Sequence, residues 1–212
     1  NLYVTVSGKR TGLQAGTYSI GPSMSIADVV GKIHSGDVDR KRVTVIEGWR
    51  SDEIADLLAE EGEAFLRLVG TWESDRPLLA DRPEGAGLEG YLFPDTYHLP
   101  HGFEAEDLIV AMLDNLDGKM TAEMMDDIRG QGKGVFEILT MASIIEKEVR
   151  NFEDKRVVSG LLWKRMEIGM PLQVDATIVY LTGKRSTTVS IEETRIDSPY
   201  NTYLNKGLPP GP

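Results

Sequence analysis

The segment Leu139-Thr140-Met141-Ala142-Ser143-Ile144-Ile145-Glu146-Lys147-Glu148-Val149 is the part of this chain whose residue types and spacing best support chemistry. Steps of three and four put Leu139, Ala142, Glu146 and Val149 on one stripe of a helix. A carboxyl group set in an apolar stripe is costly to ionise and can stay protonated near neutrality, which is what a general acid requires. The plainer alternative is an acid at the edge of the core, paired with Lys147 or Arg150 or turned to solvent. Glu148 competes within the same segment, because Met141, Ile144 and Ile145 give its side apolar cover too. Periodicity does not separate the two acids.

Two further segments carry polar groups on rigid backbone. Gly169-Met170-Pro171-Leu172-Gln173-Val174-Asp175 would present Gln173 from a well-held loop, and an amide offers donor and acceptor together to a sugar hydroxyl or amide. Asp175 reads as the N-cap of the helix that follows. Ser198-Pro199-Tyr200-Asn201-Thr202-Tyr203, followed by Gly207-Leu208-Pro209-Pro210-Gly211-Pro212, is rich in aromatics and amides. There Tyr200 and Tyr203 can stack on sugar rings while Asn201 bonds hydroxyls, or the same side chains can simply pack a rigid turn.

Other chemistries are excluded or unsupported. The chain has no cysteine, so it offers no disulfide, thiolate nucleophile or Cys-based zinc site. Its histidines, His34, His98 and His101, include no His-Glu-x-x-His pair, and no metal or cofactor is expected. No serine sits in a Gly-x-Ser-x-Gly elbow. Gly130-Gln131-Gly132-Lys133-Gly134 lacks phosphate-loop spacing and reads as a flexible loop. A net charge of -11 argues against nucleic acid, whose binding depends on Lys and Arg neutralising phosphates.

The elements that must position these groups can be read along the chain. With 212 residues, 41% hydrophobic and 27% charged, the sequence has the composition of a soluble globular protein of one large or two small domains. Leu2–Val6 and Gly16–Ile20 read as strands. Ser25 caps a helix carrying Ile26, Val29, Val30 and Ile33, which Gly36 ends. Val43–Ile46 reads as a strand, and Ser51 as the cap of a helix with Ile54, Leu57 and Leu58 inside. Residues 70–90 look like a loop and Tyr91–Leu99 like an extended aromatic stretch. Beyond Gly102 the chain turns helical. One helix carries Leu108, Ile109, Met112, Leu113 and Leu116, and a second covers about 135–149. A third, begun by Asn151 and Asp154, has Val157, Val158, Leu161, Leu162 and Met166 inside. A short fourth spans about 176–181.

Taken together, four segments resemble the endolytic murein transglycosylase family, also called YceG-like. They are Glu89-Gly90-Tyr91-Leu92-Phe93-Pro94-Asp95-Thr96-Tyr97, Met141 to Glu148, Gly169 to Asp175, and Tyr200-Asn201-Thr202-Tyr203 through Gly207-Leu208-Pro209-Pro210-Gly211. Ala15-Gly16-Thr17-Tyr18 and Val45-Ile46-Glu47-Gly48 also look like the family, so the likeness covers nearly the whole chain.

The resemblance implies an α+β protein: an N-terminal α/β segment over 1–41, a LysM-like module over 42–102, and a helical, lysozyme-like catalytic domain over 103–212. Family members continue past the Leu-Pro-Pro-Gly motif, so that last domain is expected to be cut short at Pro212. The start at Asn1, without an initiator Met or basic leader, likewise reads as that of a fragment. The resemblance also implies an anchor helix preceding these residues, a body on the outer face of the bacterial cytoplasmic membrane, and cell-wall synthases as possible partners. The family's catalytic acid matches Glu146, and Gln173, Tyr200, Asn201 and Tyr203 fall in its cleft motifs as substrate-binding candidates. The expected activity is cleavage of the MurNAc-β-1,4-GlcNAc bond within peptidoglycan strands, leaving 1,6-anhydro-MurNAc ends. Two rivals stand beside it. One is a hydrolytic muramidase, which needs a second carboxylate such as Asp175 or Glu148. The other is a non-catalytic glycan-binding scaffold.

Overall fold

The structure is a computed structural model, and it describes residues 12–184 and 188–212. Among these residues it is an α+β fold with eight α-helices and one two-stranded sheet. The strand expected at Leu2–Val6 lies outside the described residues.

Local signals in the first third set the early elements. Helix α1 (Ile26–Ser35) begins at a complete capping box, in which Ser25 accepts from Asp28 N and Asp28 accepts from Ser25 N. It ends at Gly36, whose φ of 69° needs a residue without Cβ. Gly16–Ile20, expected as a strand, is not assigned as one and pairs with none among the described residues; Asp39 N donates to Thr17 O at 2.9 Å. Strand β1 (Arg40–Thr44) starts and ends earlier than the β-branched run suggested. It pairs antiparallel with β2 (Thr96–Pro100), with Val43 opposite Tyr97 and Lys41 opposite Leu99. Pairing thus recruits Arg40, Lys41 and Arg42, whose exposed charges also discourage a further strand from adding to this edge. Of the extended stretch 91–99, only its end from Thr96 onward becomes strand.

Helices α2 (Ser51–Asp56) and α3 (Gly62–Thr71) lie between those strands in the chain. Arg50, not Ser51, is the N-cap of α2, because Ser51 is drawn to Glu89. Ile54 and Leu58 are buried as expected, but Leu57 is exposed, since the helix stops at Asp56 and the chain turns. Residues 70–90 contain a short 3-10 turn, Pro77–Leu79, and supply the buried Leu78, Leu79 and Leu88.

One hydrophobic cluster runs from Val43 to Val135 and includes α4 (Ala105–Lys119), whose Leu108, Ile109, Met112, Leu113 and Leu116 are buried as the period requires. It continues across residue 102 and takes in Ile128 of α5 (Ala122–Gly130). The glycine-rich stretch that follows is a tight turn: a Cβ at Gly134 would stand 1.9 Å from Asp81 Oδ2, and that carboxylate accepts from Phe136 N at 3.0 Å. Asp81 thereby caps the start of α6 (Val135–Glu148) from a distant loop.

Helix α6 leaves the first cluster and enters a second, formed by Met141, Ile144, Ile145, Leu162, Leu172 and Val174. Its partner α7 (Phe152–Glu167) begins at Asn151, whose side chain accepts from Asp154 N at 2.8 Å. Only Leu162 of α7 is fully buried, with Val158, Trp163 and Met166 partly so; Val157 and Leu161 face outward. The expected apolar face is therefore split, because α7 meets the rest of the fold on one side only. The last helix, α8 (Asp175–Thr182), matches the short fourth helix expected there. No helix among the described residues is long and apolar enough to cross a membrane.

Candidate active site

Glu146 lies on the last turn of α6 and lines an open groove of about 540 Å³ between α6 and α7, with Ala142, Ile145, Lys155, Arg156, Ser159 and Gly160. It is the only carboxylate lining that groove among the described residues. Its setting differs from the apolar stripe expected from spacing. The buried side of α6 is Thr140, Met141, Ile144 and Ile145, whereas Ala142 is exposed and the Glu146 side chain is 37% exposed. Its Oε2 accepts a hydrogen bond from Lys155 Nζ at 2.6 Å. The acid therefore stands at the rim of the second core, paired across the α6–α7 turn rather than with Lys147 or Arg150.

A loop from the first third of the chain passes near this acid. Gly48, with φ 73°, comes so near that a Cβ there would be 3.5 Å from Glu146 Cγ and 3.4 Å from Lys147 Cε. Beyond Gly160 a second groove of about 540 Å³ continues along the two helices, lined by Lys133, Glu137, Trp163, Lys164, Met166 and Glu167. Lys133 Nζ stands 4.6 Å from the centre of the Trp163 ring.

Glu148 is separated from Glu146 by its task. Its Oε1 accepts from Ala176 N at 3.2 Å, which fastens the first turn of α8 to the end of α6. Asp175 is the first residue of α8, not its N-cap; Val174 holds that position. Asp175 Oδ1 instead accepts from the Tyr203 hydroxyl at 2.5 Å. That hydrogen bond, with some burial, pushes the Tyr203 hydroxyl up to about 12.

The four substrate-binding candidates gather in one loop cluster at this end of α6 but do not line the Glu146 groove. Gln173 has φ 52°, its backbone N donates to Thr202 O at 3.0 Å, and its side chain is exposed. Asn201 is fully buried: its Nδ2 donates to Thr194 O at 3.1 Å and Ile196 O at 2.7 Å, and its Oδ1 accepts from Tyr203 N at 3.0 Å. Thr202 is buried as well, its hydroxyl within 2.9 Å of the Thr177 hydroxyl. Tyr200 packs against Tyr180 of α8 with ring centres 5.0 Å apart, and its hydroxyl adjoins Gly211. Burial beside Glu89 raises the hydroxyls of both Tyr180 and Tyr200, that of Tyr180 to about 12.

Sequence reading missed Lys155, Trp163 and the Gly48 loop. Lys155 carried a faint signal: Glu146 and Lys155 flank the short turn that Asn151 caps, and two helices joined so closely pack against each other. Gly48 lies in the family-like segment Val45–Gly48, but its nearness to Glu146 joins distant segments and no local pattern shows it. Among the described residues no group of acids and histidines could hold a metal ion.

Known proteins are similar to this chain in sequence and fold. The profile of the YceG-like family matches residues 1–212. A Streptococcus pneumoniae (serotype 2, strain D39 / NCTC 7466) protein named endolytic murein transglycosylase is 34% identical over 234 residues, covering 95% of this chain and 42% of that protein. A Bacillus subtilis (strain 168) protein of the same name is 32% identical over 231 residues, covering 99% of this chain and 62% of its own length. The chain therefore spans only part of these relatives. The crystal structure of a yceG-like protein from Listeria monocytogenes superposes with a TM-score of 0.72 at 30% identity, covering all of this chain and 75% of that one. With the matched profile spanning every residue and the solved structure sharing the fold from end to end, the chain belongs to the YceG-like family.

Proposed function

We propose that this chain is the catalytic part of an endolytic murein transglycosylase, with Glu146 as its single acid and base. The carrying observation is that Glu146, at the position of the family motif, is the one carboxylate among the described residues in the part of the α6–α7 groove beside Lys155, while Glu137 and Glu167 stand in the continuation toward Trp163. The names of the relatives supply the substrate, peptidoglycan. The groove running on to Trp163 offers a track for a glycan strand, with an aromatic face for a sugar ring. Gln173 and Tyr203, at the edge of the neighbouring loop cluster, are the candidates for contacts to the bound strand. Tyr200 and Asn201 shape that cluster from inside. The strand–helix–helix–strand order of β1, α2, α3 and β2 supports the LysM-like reading of residues 42–102. The helical character of 103–212 agrees with a lysozyme-like catalytic part. In the whole protein these residues would stand on the outer face of the cytoplasmic membrane behind an N-terminal anchor, within reach of cell-wall synthases.

In the reaction, Glu146 protonates the glycosidic oxygen as the GlcNAc side departs. The resulting carboxylate then takes the proton of the MurNAc C6 hydroxyl, whose oxygen closes onto C1. The product is a 1,6-anhydro-MurNAc end, one water lighter than a hydrolysed sugar. In this reading Lys155 holds Oε2 and fixes the direction of the carboxyl group, and the proton is exchanged at Oε1. Digestion of purified peptidoglycan in H₂¹⁸O tests the whole reading: the new ends should be anhydro and unlabelled, and Glu146→Gln should lose at least ~10²-fold in rate. Labelled reducing MurNAc ends as the main product would establish the muramidase instead. Binding without any cleavage would establish the scaffold.

A further inference from the structure

Helix α7 carries a glycine, Gly160, near its middle, where glycine destabilises a helix relative to alanine. Local structure gives no cause for it. The backbone there is helical rather than left-handed, and a Cβ at Gly160 would meet nothing within 4 Å. Neither conformation nor close packing therefore requires the missing side chain. The groove does. Among the described residues, Gly160 is the one residue that lines both groove segments, the one holding Glu146 and Lys155 and the one holding Trp163. Lys155 and Trp163 stand about 12 Å apart along the α7 axis at 1.5 Å per residue, longer than a single sugar ring. Past Gly160 the lining pairs an aromatic side chain with charges of both signs, Lys133 and Lys164 against Glu137 and Glu167. Such a set offers donors and acceptors to hydroxyl and amide groups without net charge, which suits uncharged sugar rings.

We infer that Gly160 sets a preference for long strands: with no side chain at this position, an unbroken glycan passes along α7 from the Glu146 segment to the Trp163 segment, and a sugar beyond the cleavage point packs on Trp163. This rests on the proposed role of Glu146. Contacts remote from the reacting bond supply binding energy that orients that bond, and a fragment ending short of Trp163 forgoes them. Lys133 Nζ, 4.6 Å from the centre of the Trp163 ring, stands ready to donate to a hydroxyl of the seated sugar. A side chain at position 160 would stand in the passage rather than against protein, so it obstructs the strand while leaving the fold undisturbed. Cleavage inside strands follows, because the best-held substrate extends past the acid.

The test compares Gly160→Ala, Gly160→Leu, Trp163→Ala and Trp163→Phe in the full protein, measuring melting temperature and kcat/KM on long soluble glycan strands and on the shortest fragment that wild type cleaves. Wild type is expected to favour the long strands by about ten-fold or more. Gly160→Leu and Trp163→Ala should lower kcat/KM on long strands by about ten-fold and much less on the fragment, so that the preference shrinks. Gly160→Ala should lose less, with a melting temperature equal to or above that of wild type, a combination that a purely structural glycine would not produce. Trp163→Phe keeps an aromatic face and should recover most of the preference. A folded Gly160→Leu with the wild-type preference would overturn the inference. So would equal losses on strand and fragment, which place the obstruction at the acid, or a wild type indifferent to length. Should Trp163→Ala not fold, Gly160→Leu decides by the same criteria. Glu146→Gln runs beside them: if it is inactive while Gly160→Leu behaves as wild type, only the role of Gly160 fails. If Glu146→Gln cleaves like wild type, the reading of the acid fails and the inference with it.

Discussion

Lys155 Nζ and Glu146 Oε2 lie 2.6 Å apart across the turn between α6 and α7, and both side chains remain about a third exposed, at 29% and 37%. A pair so open to water contributes only about 0–1 kcal/mol to stability. Its value lies in fixing where the carboxylate points. Lys155→Met is therefore expected to leave the melting temperature nearly unchanged while lowering glycan-cleavage turnover by about 10- to 10²-fold. Single-turnover cleavage and a thermal melt on the same sample check this. An unchanged rate would make the pair a surface ornament.

The two neighbouring acids should separate cleanly. Glu148 caps α8 through Ala176 N and does not line the groove. Glu148→Gln should keep most of the activity that Glu146→Gln loses, and Glu148→Ala should cost about 1 kcal/mol in denaturant titration, as for a lost helix cap. A Glu148→Gln variant as inactive as Glu146→Gln would show that the chemistry needs both carboxylates.

Asn201 and Gln173 should fail in opposite ways. The Asn201 amide is fully buried and uses its donors and acceptor on three backbone groups. Asn201→Ala orphans those groups at about 1–3 kcal/mol each, so a loss of about 3 kcal/mol or more is expected, with activity falling as the loop cluster loosens. Gln173 is exposed, and Gln173→Ala should change stability little while raising KM. Equal melting curves for wild type and Asn201→Ala would contradict the buried network.

Alkaline pH offers a test of the Tyr203–Asp175 bond. The Tyr203 hydroxyl is raised to about 12 because its bond to Asp175 and its partial burial favour the protonated form. A raised folded-state value contributes stability that is complete below the unfolded value of about 10 and is lost as pH rises toward about 12. Wild type should therefore lose more stability than Tyr203→Phe between those limits, and the two should respond alike to pH near neutrality. Parallel curves across the alkaline range would mean the bond is absent in solution.

By itself the sequence determined the elements whose causes are local. The Ser25–Asp28 box and Gly36 delimit α1, the apolar period of Leu108 to Leu116 buries one face of α4, and Asn151 starts α7, because caps and periodicity act within a few residues. It also placed Glu146 at the heart of a recognisable motif. Tertiary structure alone decided the rest. The spacing around Glu146 suggested an apolar stripe, but which side of a helix is buried depends on where its neighbours pack, and α7 covers the Met141–Ile144 side. The basic run Arg40–Arg42 became a strand because β2 supplied a partner, which no local pattern foretold. Asn201 offered the groups of a sugar ligand and spends them on its own loop. Lys155 meets Glu146 for the same reason: side chains meet by folding, and their distance in space is not written in their spacing along the chain.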